Sequence, residues 1–81
     1  GQIQEAIQTL QQVLYLDPGC VMAAFNLGLL LNKEGKSMVA QKYFHNVLSL
    51  LESRLEKETV PLSEGLTVKQ LREMTKSFLK G

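Results

Sequence analysis

Displaced by 34 positions, the chain matches itself: Gly1 falls on Gly35, Ala6 on Ala40, Leu10 on Phe44, Val13 on Val47, Leu14 on Leu48 and Leu16 on Leu50. Helical period alone does not produce this coincidence, because it includes a glycine and, five places on, a small residue. Self-similarity at a fixed offset of this size marks stacked units, none of which can bury its apolar face alone. A chain of 81 residues holds little more than two such units, and a domain this small buries only about 60–65% of its unfolded surface. That leaves little room for a catalytic cleft and a cofactor site beside a core. A binding module, or a piece of something larger, is the expectation.

The local patterns are helical throughout. Ile3, Ala6, Ile7, Leu10, Val13 and Leu14 recur at spacings of three and four, predicting a helix over about residues 2–16 that stops at Asp17-Pro18-Gly19. A second helix, about residues 20–34, is apolar on more than one face and needs neighbours on two sides. Gly28 lies in its interior, where glycine costs on the order of 1 kcal/mol relative to alanine, so another helix is expected to approach it closely. Gly35 is placed as a left-handed cap. A third helix starts near Ser37, a candidate N-cap, and carries Val39, Ala40, Tyr43, Phe44, Val47, Leu48, Leu51 and Leu55 on one face. With no breaker before about Glu58 it is expected to be the longest element. The segment from Thr59 to Gly65 reads as an ordered turn or loop. Thr67-Val68-Lys69-Gln70 has the pattern of a capping box, with Leu66 and Leu71 as its hydrophobic staple. The fourth helix then runs to about Leu79, with Val68, Leu71, Met74, Thr75, Phe78 and Leu79 inward and Lys69, Arg72, Glu73, Lys76 and Lys80 outward. The class is all-α.

These residues resemble the tetratricopeptide repeat (TPR), whose unit of 34 residues is a pair of antiparallel helices. Residues 21–54 match one complete unit. Ala24-Phe25-Asn26-Leu27-Gly28 is similar to the Trp-x-x-Leu-Gly segment of helix A, with Ala24 in place of tryptophan. Leu31 takes the tyrosine position, Ala40 the small residue of helix B, Phe44 its aromatic and Val47 its second alanine. Pro18 is the proline that closes a repeat, but its counterpart is Glu52. The departure predicts that the third helix runs past the repeat boundary and that the fourth caps the array. Residues 1–20 are then the second helix of a truncated repeat, and residues 55–81 a helix extension, loop and capping helix. Its stripe of Ile3, Ile7, Leu10 and Leu14 is expected to lack part of its partner, which favours self-association, a homodimer being the simplest form.

A narrower resemblance is to the C-terminal TPR region of CheR-type chemoreceptor methyltransferases. It rests on residues 13–19, on Phe25-Asn26-Leu27-Gly28, and on residues 60–67 followed by Gln70-Leu71-Arg72-Glu73. In that family a separate domain binds S-adenosylmethionine and methylates receptor glutamates. No strand followed by a glycine-rich turn exists here to hold that cofactor, so the resemblance implies a non-catalytic docking or regulatory segment without cofactor. Its partner would be a chemoreceptor, another signalling protein or the enzyme domain of its own parent chain. A generic TPR scaffold of another bacterial assembly is the alternative.

Charge and reactive residues agree with a binding role. Nine Lys and Arg against eight Asp and Glu give +1, without the basic stripe that phosphate neutralisation requires, so nucleic acid is not an expected partner. There is no apolar run long enough for a membrane span and no signal-peptide pattern, and a cytoplasmic location is expected. Cys20 is the lone cysteine and reads as a small hydrophobe; with no second thiol or spaced histidine, no zinc site is expected. His45 is the lone histidine and has no nucleophile at matching spacing. Glu52, Glu56, Glu58 and Glu64 interleave with Arg54 and Lys57 as a solvated surface. No catalytic residue is assigned. The TPR resemblance implies that the inner surface of helix A, here Met22, Phe25, Asn26, Leu29, Asn32 and Lys33, would meet a peptide with apolar anchors.

Overall fold

A computed structural model describes residues 1–79; Lys80, expected on the outer face of the last helix, lies outside the described residues. Four helices follow one another: α1 (Gln2–Leu16), α2 (Val21–Lys33), α3 (Ser37–Leu51) and α4 (Val68–Leu79). Short turns join the first three, so each packs on its predecessor as a helical hairpin, α1 on α2 and α2 on α3, and α4 closes against α3. No described helix is long and apolar enough to cross a membrane.

Local chemistry explains where the elements stop. Asp17 caps α1 through its N–H to the Val13 carbonyl, and Pro18 bars a further turn. α2 ends in paired bonds from Gly35 N–H to the Asn32 carbonyl at 3.1 Å and from Lys36 N–H to the Leu31 carbonyl at 2.9 Å. That arrangement needs a left-handed residue between helix and exit, which Gly35 supplies at φ +80°. Lys36, not Ser37, occupies the N-cap of α3, and no side chain caps that helix. Ser37 is therefore its first helical residue.

The third helix does not run to Glu58. It ends at Leu51 and is 15 residues long, so it shares the greatest length with α1, and residues 52–58 are not a helical extension. The boundary falls one residue past Leu50, the counterpart of the Leu16 that ends α1, without a proline to impose it. Two short-range bonds turn the chain, Glu52 N–H to Ser49 at 3.3 Å and Arg54 N–H to Leu51 at 3.1 Å. Leu55, expected on the apolar face, is 72% exposed.

The reason lies in what this segment does for α4. The Glu58 carbonyl accepts Val68 N–H at 2.8 Å, and the Glu56 carbonyl accepts Lys69 N–H at 3.1 Å. Thr67 Oγ1 accepts Gln70 N–H at 3.1 Å, and Gln70 Oε1 accepts Thr67 N–H at 2.9 Å, as the capping box requires. The first three donors of α4, which no helix can satisfy internally, all have partners. A helical run through Glu58 would instead carry the chain about 10 Å further along the α3 axis.

Ser63 organises the loop between. Its buried hydroxyl donates to the Val60 carbonyl and accepts Leu66 N–H at 3.0 Å, while Val60 N–H bonds the Leu66 carbonyl at 2.8 Å. This holds two non-glycine residues, Leu62 (φ 66°) and Glu64 (φ 59°), in the left-handed region, a conformation that costs about 1–2 kcal/mol per residue.

The core runs through all four helices and the loop: Ile7, Leu27, Phe44, Val47, Leu51, Val60, Val68 and Leu71 are buried. Each such side chain contributes about 1.5–3 kcal/mol on leaving water. On α1, Ile7 is buried and Ile3, Leu10 and Leu14 are half-buried against this core. The two-faced apolar surface of α2 covers part of this stripe, and Ile3, Leu10 and Leu14 keep some of their surface in water. The exposed large apolar side chains of α1 lie in its last turn, with Tyr15 84% and Leu16 81% exposed.

Gly28 marks the tightest crossing. A Cβ there would lie 2.7 Å from Phe44 Cε1, 2.9 Å from Cζ and 3.0 Å from Cδ1. At an open helical site alanine would gain about 1 kcal/mol over glycine; here overpacking of about 1–3 kcal/mol reverses the sign. Gly28→Ala is expected to lower unfolding free energy in urea, and an unchanged or higher midpoint would refute this crossing. Ser63→Ala leaves Leu66 N–H without its acceptor and is expected to cost about 1–3 kcal/mol in the same measurement.

Candidate functional site

The helical period places Met22, Asn26, Leu29 and Lys33 on one stripe of α2, within about 60° of arc, with Phe25 and Asn32 on its flank. Asn26, Asn32 and Lys33 are exposed, and Met22 and Leu29 are half-buried. The structure therefore brings together four of the six residues that the repeat pattern suggests for a binding face and leaves Asn32 beside them. The result is a shallow strip with two apolar anchors, two amides and a cation at its C-terminal end. Lys33 also lies in the last turn of α2, where a cation complements the helix dipole.

Phe25 does not belong to that strip. It is 3% exposed, and two rings close on it. Phe44 meets it edge to face with centroids 6.0 Å apart, and Phe78 does so at 6.2 Å. Phe44 and Phe78 stack at 5.0 Å and 9°. Such contacts add about 0.5–1.5 kcal/mol each beyond the area they bury. Periodicity puts Phe78 on the inner stripe of α4, but nothing in a helical period says that its ring reaches Phe25 of α2.

The strip is nearly neutral. Residues 1–32 contain no Lys or Arg and only Glu5 and Asp17 as acids, so Lys33 is the first cation of the chain. An apolar strip edged by amides and free of like-charge clusters suits a partner segment with apolar side chains. The reactive residues are scattered elsewhere: His45 is exposed on α3 and Cys20 is half-buried ahead of α2. Among the described residues no three His, Cys, Asp or Glu converge as metal ligands. No protein-family model, curated protein or solved structure matches the chain.

The burial contrast is testable. Phe25→Ala is expected to destabilise the fold by about 3–5 kcal/mol, whereas Asn26→Ala, one residue on, should stay within about 0.5 kcal/mol. Similar denaturation midpoints for both would place Phe25 outside the core.

Proposed function

We propose that the chain is a non-catalytic protein-interaction module of TPR type. In this reading it is the C-terminal docking or regulatory segment of a cytoplasmic CheR-type methyltransferase, and the exposed strip of α2 meets the partner. Residues 1–20 are the second helix of a partial repeat, residues 21–54 a full one, and α4 the cap of the array. The observation that carries the reading is the close crossing of α2 and α3 at Gly28 and Phe44, two positions at which the repeat pattern calls for a small residue and an aromatic. A second support is the chemistry of the strip, which offers hydrogen-bonding amides and half-exposed anchors but no nucleophile, base or cofactor-holding turn.

The partner is a protein: a chemoreceptor segment, another signalling protein, or the enzyme domain of the parent chain. Methyl transfer from S-adenosylmethionine belongs to that enzyme domain and not to these residues. Calorimetric titration of the chain against chemoreceptor cytoplasmic fragments and against the isolated methyltransferase domain tests this. Binding of one of them, weakened at least about tenfold by Met22→Glu or Leu29→Glu with unchanged thermal stability, is the expected result. Absence of binding to both, or indifference to both substitutions, would overturn it.

A further inference from the structure

A separate concavity lies away from the α2 strip. It is a cleft of about 360 Å³ between the α1–α2 turn and the loop before α4, lined by Asp17, Cys20, Val21, Arg54, Pro61 and Leu62. This volume is near the lower end of the range for small-molecule sites, so one small ligand fills it. Two lining residues carry opposite charge. The one ion pair among the described residues joins Arg72 to Glu56, and among those residues neither the Asp17 carboxylate nor the Arg54 guanidinium has a side-chain partner within hydrogen-bonding distance. An acid and a base that face one cleft without neutralising each other form a template for a ligand bearing the complementary pair. Val21, Pro61 and Leu62 are the large apolar residues of the same lining.

Leu62 adds an independent observation. Its backbone is left-handed at φ 66°, and its side chain is 81% exposed. Neither burial nor backbone preference explains a leucine there, and strained residues held by a well-bonded loop cluster at ligand clamps. Ser63 fixes the loop that holds this residue in the lining of the cleft.

We infer that the cleft binds a free amino acid with an apolar side chain. Its carboxylate lies on the Arg54 guanidinium, whose planar fork matches two carboxylate oxygens. Its ammonium lies on the Asp17 carboxylate, and its side chain rests against Val21, Pro61 and Leu62. The inference stands apart from the proposed docking role, since it shares no residue with the α2 strip.

The test is a titration of the isotope-labelled chain followed by amide resonances. The probes are L-leucine, L-methionine and L-phenylalanine, with N-acetyl-L-leucine lacking the ammonium and L-leucinamide lacking the carboxylate. Saturable shifts at Gly19, Cys20, Val21, Arg54 and Leu62 are expected with at least one free amino acid. Both blocked analogues should bind at least about tenfold more weakly than L-leucine, as should L-leucine to Asp17→Asn and Arg54→Met, because each loses a charge-assisted contact. Both substitutions replace side chains outside the core, and unchanged resonances elsewhere report an intact fold. No saturable shift with any of the three amino acids would overturn the site. So would blocked analogues that bind as tightly as leucine, or affinity that survives Arg54→Met.

Discussion

Everything in this fold depends on the place where the Phe44 ring meets the backbone of α2 at Gly28 with no side chain between. Gly28 gives up helix propensity so that the ring can lie against the helix itself, and the ring is pinned there because Phe25 meets its edge and Phe78 stacks on it. A neighbour that could slide away would make the glycine optional. A ring held on both sides, 1% exposed, makes it obligatory. The α2–α3 distance is set here, and the packing of Leu27, Val47 and Leu51 follows from that distance.

The second constraint is the way α4 is attached. Its N-terminal donors are satisfied by a capping box and by two carbonyls of the segment that leaves α3. Helix four is therefore docked through its backbone before any side chain is counted. The Ser63 hydroxyl then fixes the return of the chain, and Val60 and Val68 enter the core beside Leu71. The same docking delivers Phe78 to Phe25. An aromatic that would otherwise face the surface of helix A becomes core, and the exposed strip narrows to Met22, Asn26, Leu29 and Lys33.

Much of this is legible in the residues. Pro18, the Gly35 cap and the Thr67–Gln70 box each act through bonds between near neighbours, so the ends of α1 and α2 and the start of α4 fall within a residue of expectation. Gly28 is legible for a different reason: a glycine that weakens its own helix has to be compensated by something outside it. The end of α3 was not legible. Residues 52–58 contain no glycine or proline, and the expectation that they stay helical follows soundly from local rules. Of the site residues, Phe25 was misplaced because its cover comes from α4, far away in sequence.

The sequence by itself determined the all-α class, the positions of the helices and the small residue at the crossing, because these rest on periodicity, caps and turns that span a few residues. Only the tertiary structure decided where α3 stops, which apolar residues remain in contact with water, and that the α1–α2 turn and the loop before α4 share a cleft. The physical reason is the same in each case. The chain turns after Leu51 and so brings the Glu56 and Glu58 carbonyls to the unsatisfied donors of α4, and a ring at Phe25 is buried only if a distant helix arrives to bury it. Such choices compare free energies across the whole chain, which no window of neighbouring residues contains.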